Sequence, residues 1–172
     1  VQPPARPELR QIPPREYVFI IDVSGSMYGF PLDVSKKLMR DLLGKLRPAD
    51  RFNILLFAGG SSLFSERSKA ATTENIRSGI DFLDRQNGGG GTELLPALKR
   101  ALALEGTEEF ARSFVILTDG YVSVEKEAFD LIRNKLDEAS FFPFGIGSSV
   151  NRYLIEGMAK AGKGSPFVVT SG

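Results

Sequence analysis

Tyr17-Val18-Phe19-Ile20-Ile21 is an unbroken apolar run that ends on Asp22, and Val23-Ser24-Gly25-Ser26 follows it. Such a run, with no polar alternation, suits a strand buried on both faces. The same kind of segment recurs at Phe52-Asn-Ile-Leu-Leu-Phe57, Ser113-Phe-Val-Ile-Leu-Thr118, Phe141 to Ile146 and Pro166-Phe-Val-Val169. Stretches of helical spacing lie between. Across residues 31–46, Leu38, Leu42 and Leu46 form a stripe flanked by Met39 and Leu43, and Pro31 suits a first helical turn. Ile76, Ile80 and Leu83 mark a second helix, and Leu94, Leu98, Ala101 and Leu102 a third. Ala128, Ile132 and Leu136 mark a fourth, and Val150 to Ala161 a fifth. Gly59-Gly60 and Ser61-Ser62 are expected to turn the second strand back onto a short one near Leu63-Phe64. Strand–helix alternation with right-handed crossovers predicts an α/β fold. Its sheet is doubly wound and mostly parallel, with one antiparallel edge strand and helices on both faces.

The composition narrows the chemistry. The chain has 172 residues, 22 Lys+Arg against 21 Asp+Glu, and neither cysteine nor histidine. One ordinary domain of that size buries a real core. The charge balance of +1, with no block of like charges, argues against nucleic acid or an anionic membrane as partner. No apolar run reaches the ~18–20 residues that cross a bilayer. Without Cys and His there is no zinc finger, no haem or iron–sulfur ligation, no His-based triad and no Cys nucleophile. Any metal must be held by oxygen, which points to Mg²⁺, Mn²⁺ or Ca²⁺. Residues 1–14, VQPPARPELRQIPP, read as a proline-rich tether or a ragged end, and residues 15–172 as the folded domain. The start at Val1 suggests a piece of a longer protein.

In doubly wound sheets ligands sit at the carboxyl ends of the strands, where strand order reverses. Three loops there carry chemistry. The first is Asp22-x-Ser24-x-Ser26, in which an extended turn would aim all three side chains at one point. Average residue usage yields that pattern in about one chain in twenty of this length, so alone it is weak. The plainer reading has Asp22 and the serines satisfying loop and helix-start amides. The second is Thr118-Asp119-Gly120, again an acid at a strand end. If its strand neighbours the first, Asp22 and Asp119 face each other, which is costly unless a cation lies between them. The third is Asn87-Gly-Gly-Gly-Gly-Thr92-Glu93, whose glycines let the backbone approach another loop and deliver a hydroxyl. The plainer reading makes Thr92 a helix N-cap. Two carboxylates and three hydroxyls together describe an oxygen site for a Mg²⁺-class ion.

The ordered set Asp22, Ser24, Ser26, Thr92 and Asp119 resembles the metal-ion-dependent adhesion site of von Willebrand factor A domains, across about residues 16–170. Phe19-Ile-Ile-Asp-Val-Ser-Gly-Ser-Met27, Leu46-Arg-Pro-Ala-Asp-Arg-Phe-Asn53 and Gly90-Gly-Thr-Glu-Leu-Leu95 are most similar to A domains that follow an inter-alpha-trypsin-inhibitor-type domain, especially in bacterial surface or exported proteins. The resemblance implies direct coordination by Ser24, Ser26 and Thr92. Asp22 and Asp119 would act mainly through water, or Asp119 directly in a closed arrangement. One position would stay open for an acidic side chain of a partner protein. Met27, Tyr28, Glu93 and Tyr121 would form the rim around it. It further implies a monomeric, extracytoplasmic module of a larger protein, with a cytoplasmic setting the alternative. Two departures stand out. Tyr28 and Gly29 replace the acids that some relatives use for an adjacent calcium, so no second metal is expected there. The family's final helix would lie beyond Thr170-Ser-Gly172 or be absent.

Two other functions compete. A scaffold A domain of an ATPase-linked intracellular machine would share the metal chemistry. A phosphate-handling enzyme fits less well. Haloacid-dehalogenase phosphatases place a second acid two residues after the strand-end aspartate, where this chain has Ser24. The Gly88–Gly91 run follows a polar segment and lacks the lysine of a phosphate-binding loop.

Overall fold

A computed structural model of the chain describes residues 13–86, 88–106, 110–119, 125–135, 140–146 and 167–169, together with 156, 158 and 160. The strands are β1 (Arg15–Asp22), β2 (Arg51–Phe57), β3 (Ser61–Leu63), β4 (Lys69–Ala70), β5 (Ala111–Thr118), β6 (Ser140–Ile146) and β7 (Phe167–Val169). The helices are α1 (Phe30–Gly44), α2 (Thr73–Asp84), α3 (Leu94–Leu102) and α4 (Glu125–Lys135), with a 3₁₀ turn at Gly25–Met27. One sheet holds all seven strands in the order β3-β2-β1-β5-β6-β7, with β4 also on β2. β2, β1, β5, β6 and β7 run parallel, while β3 and β4 pair antiparallel along the same edge of β2. The expected doubly wound α/β architecture is therefore the observed one, and its antiparallel edge is split into two short strands.

The apolar run of β1 is explained by its two faces. Val18 and Ile20 pack with Leu55, Phe57, Phe114, Ile116 and Phe141 under α3 and α4. Phe19 and Ile21 pack with Phe52, Ile54, Leu56 and Leu117 under α1 and α2. Each fully buried side chain of this size contributes about 1.5–3 kcal/mol relative to exposure. On α1 the buried stripe is Leu32, Met39 and Leu43, joined by Ser35, while Leu38, Leu42 and Leu46 pack at its flank. The helix expected over 150–161 is represented by 156, 158 and 160, which are helical, with Met158 in the first of these clusters. The rest of that span, Leu136 and residues 1–12 lie outside the described residues.

Strand order reverses at the β1–β5 pair, because chain order runs one way from β1 to β2 and the other way from β1 to β5. Ile21 pairs with Leu117 across this seam, so Asp22 and Thr118 come next on adjacent strands, and Asp119 follows immediately.

Candidate metal centre

Asp22 is the last residue of β1 and is fully buried. Its Oδ1 accepts the backbone N–H of Ser24 at 2.9 Å and the Ser24 hydroxyl at 2.6 Å. Its Oδ2 accepts the Thr118 hydroxyl at 2.7 Å. No lysine or arginine among the described residues pairs with it. Burial raises the Asp22 pKa above the ordinary carboxylate value; the bonds from Ser24 and Thr118 oppose this, and the nearby Asp119 charge adds to it. Asp119 is itself 7% exposed. Two buried acids at adjacent strand ends, one of them without a basic partner, form the electrostatic setting of a cation site. The donor set is oxygen throughout, which suits a hard ion.

The first loop does not stay extended as expected. Ser24 has φ −68° and ψ 174°, and a 3₁₀ turn then carries Ser26 round. The hydroxyls still meet: Ser24 Oγ and Ser26 Oγ are 3.2 Å apart. Asp22 does bond a loop amide, as the plainer reading had it, whereas neither serine makes a side-chain cap to the turn or to α1.

The third loop docks onto the first through its backbone. Gly25 N–H donates to Gly90 O at 3.0 Å, and Gly89 N–H to Val23 O at 3.0 Å. Gly88 and Gly90 hold φ of +84° and +81°, a region that other residues enter only with strain. At Gly88 a Cβ would lie 3.2 Å from the Tyr28 Cα, so the two loops touch backbone to backbone. Thr92 follows at intermediate burial, and its side chain has no hydrogen bond among the described residues. It is not the N-cap of α3; Glu93 holds that place, without a side-chain cap, and its N–H donates to Ala58 O at 2.7 Å. The loop is also held from behind. Lys36 Nζ donates to Gln86 O at 2.6 Å and to Asp84 O at 3.3 Å, and Arg40 bonds both oxygens of Asp84.

A sequence profile of the von Willebrand factor type A domain matches residues 15–166. The chain belongs to that family. A von Willebrand factor A domain-containing protein of Dictyostelium discoideum is 35% identical over 150 residues, which is 87% of this chain and 16% of that protein. Von Willebrand factor A domain-containing protein 5B1 of mouse is 30% identical over 173 residues, 96% of this chain and 14% of its own length. The A domain thus spans about one-sixth of these relatives or less. Among solved structures, a von Willebrand factor type A protein from Catenulispora acidiphila superposes with a TM-score of 0.80 at 18% identity, covering 93% of this chain and 39% of that one. Proximal thread matrix protein 1 from the mussel byssus, with a zinc-occupied adhesion motif, superposes at 0.67 and 18% identity, covering 92% and 41%. A domains are typically protein-interaction modules, and many bind a divalent metal at this motif.

The rim expected from sequence is only partly assembled. Tyr28, two residues after Ser26, stands 74% exposed, and Glu93 is exposed. Met27 is not on the rim: the 3₁₀ turn folds its side chain back into the core with Leu32 and Met39, at 0% exposure. Tyr121 lies outside the described residues. Two contributors escape the sequence reading. Thr118 bonds Asp22, and the signal that could have found it is the β1–β5 register. Lys36 braces the glycine loop from α1, which no local pattern announces. No helix among the described residues is long and apolar enough to cross a membrane.

Proposed function

We propose that this A domain is a divalent-cation-dependent, non-catalytic protein-binding module. Ser24, Ser26 and Thr92 would hold one Mg²⁺-class ion directly, and Asp22 and Asp119 would hold it through water. The observation that carries this reading is the fully buried Asp22 carboxylate, bonded among the described residues to hydroxyls and one amide, with a second buried acid beside it. The ion would supply positive charge that two outer carboxylates leave incompletely neutralised, so an acidic side chain of a partner protein completes its coordination. Tyr28, Glu93 and Tyr121 form the surface that meets this partner. Residues 1–14 tether the module to the rest of a longer protein, and the setting is extracytoplasmic.

Isothermal titration of the metal-free protein tests the core of the proposal. Mg²⁺ and Mn²⁺ should each show one saturable site, weakened by Ser24→Ala and lost in Asp22→Ala/Asp119→Ala. Zn²⁺ belongs in the same titration, since a fold neighbour carries it at this motif. Undiminished binding by the double variant refutes the site.

A further inference from the structure

Tyr28 and Phe30 are the two large apolar side chains that stand exposed among the described residues, at 74% and 43%. Both lie on the segment leaving the Ser24–Ser26 hydroxyls, and their Cα atoms are at most about 7 Å apart. Elsewhere among the described residues such side chains are buried or partly buried, so this joint exposure is a local feature of the surface. We infer that they form an apolar contact for a partner side chain next to the acidic residue that the metal would take. The partner is therefore a protein or peptide presenting Asp or Glu within two positions of a large apolar residue such as Leu, Met or Phe. This inference rests on the metal-dependent reading and adds a second recognition element to it.

The backbone geometry favours that role. Tyr28 N–H donates to Gly25 O at 3.1 Å, and Gly25 N–H donates in turn to Gly90 O at 3.0 Å. Gly88 presses against the Tyr28 backbone from the other side. Beneath, Met27 is fully buried and anchors the turn. On the far side Gly29, at φ +83°, starts α1, whose first residue is Phe30. Both rings thus project from a fixed backbone, and each has only two side-chain torsions to immobilise on binding. Rigid aromatics of this kind form the energetic centres of interfaces. The charge near them selects the occupant. Glu93 is exposed on the rim, and the first loop from Val23 to Pro31 carries no lysine or arginine. The first loop thus offers no basic cluster of the kind that holds an anionic lipid surface. The cation would accept a partner carboxylate, and the aromatic pair sorts among acidic partners by what stands beside the acid.

The test is a library of random disulfide-closed peptides, selected on the immobilised 172-residue chain in Mg²⁺ and eluted with EDTA. Eluted sequences should pair Asp or Glu with a large apolar residue within two positions. A synthetic representative should lose about tenfold in affinity on Tyr28→Ser and again on Phe30→Ser. Mg²⁺ affinity, titrated separately, should be unchanged in both variants. EDTA-eluted peptides that carry an acid without an apolar neighbour, and bind the Tyr28→Ser/Phe30→Ser variant as well as wild type, overturn this inference and leave the metal reading intact. Peptides that bind equally in EDTA overturn the metal reading itself. Mg²⁺-dependent self-association abolished by Tyr28→Ser would make the occupant a second copy of the chain, which also overturns the inference.

Discussion

Gly88→Ala is the change that most directly tests how the glycine loop is held against the first loop. Gly88 has φ +84°, and an added Cβ would lie 3.2 Å from Tyr28 Cα and 3.4 Å from Tyr28 N. An alanine in the left-handed region costs about 1–2 kcal/mol, and the contact with Tyr28 adds to it because both neighbouring atoms are backbone. Against this, any Gly→Ala change stiffens the unfolded chain and returns about 0.4–1 kcal/mol. Gly91 supplies the control. It has no positive φ, and a Cβ there would meet nothing within 4 Å. Gly91→Ala should therefore be neutral to stabilising by up to about 1 kcal/mol. Gly88→Ala should be less stable than that control by about 1–2 kcal/mol. Urea unfolding with an unchanged m-value reads the difference as a shift in midpoint. Mg²⁺ titration of Gly88→Ala should show weakened binding, because displacing the loop displaces Thr92. Equal midpoints for the two variants would mean that Gly88 does not hold this conformation and that the docking of the loops is wrong.

Lys36→Met removes the brace between α1 and the end of α2, and should weaken Mg²⁺ binding while Lys37→Met, on the same helix, leaves it alone; titration of both decides it. Ser35 Oγ is buried without a hydrogen-bond partner among the described residues, so Ser35→Ala should raise stability by about 1 kcal/mol, read as a higher melting temperature. Glu16, buried at the start of β1, accepts Arg112 Nε at 2.6 Å and the Ser68 hydroxyl at 2.5 Å. Glu16→Ala leaves the Arg112 charge uncompensated and should cost about 3 kcal/mol in denaturant unfolding. Burial pushes the Asp50 carboxyl upward, but bonds from the Arg47 side chain and from the Arg15 and Arg47 amides hold it below the ordinary value. A lowered folded-state pKa gives stability that is complete above the unfolded value of ~3.9 and is lost as pH falls through and below it. Asp50→Asn should therefore flatten the acid limb of stability measured between about pH 5 and pH 2.

The parallel core was legible because a strand buried on both faces leaves no room for polar alternation. β1 fills one face with Val18 and Ile20 and the other with Phe19 and Ile21, and its sequence records both demands at once. The helices were legible through their stripes. What escaped has a common physical origin, namely dependence on a distant partner. β4 is two exposed residues, Lys69 and Ala70, and it is a strand only because β2 offers it an edge. Met27 reads as a loop residue after a polar motif, yet one 3₁₀ turn is enough to send it into the core against α1. Thr92 reads as a cap, yet α3 starts one residue later, with Glu93 in the cap position and its N–H bonded to Ala58 O.

The candidate site follows the same division. Each acid is ambiguous on its own, since an aspartate after a strand serves a turn as readily as an ion. The ambiguity is reduced by register. Ile21 opposite Leu117 brings the ends of β1 and β5 level, so that Asp22 meets the Thr118 hydroxyl and feels the charge of Asp119. A turn-forming aspartate would have gained little from such a neighbour. Burial and a like charge both work against ionisation of Asp22, and among its partners only neutral donors oppose them. A structural aspartate in that position would be better replaced by asparagine, whose Oδ1 can accept the two Ser24 bonds and whose amide can donate to the Thr118 hydroxyl in a reversed bond, all without the charge. Asp22→Asn is therefore expected to leave the metal-free protein as stable as wild type or more so, while weakening Mg²⁺ binding. Thermal melts with and without Mg²⁺ separate the two effects. A variant destabilised without the ion would show that Asp22 serves the fold, and the argument for a cation at this seam would lose its electrostatic basis.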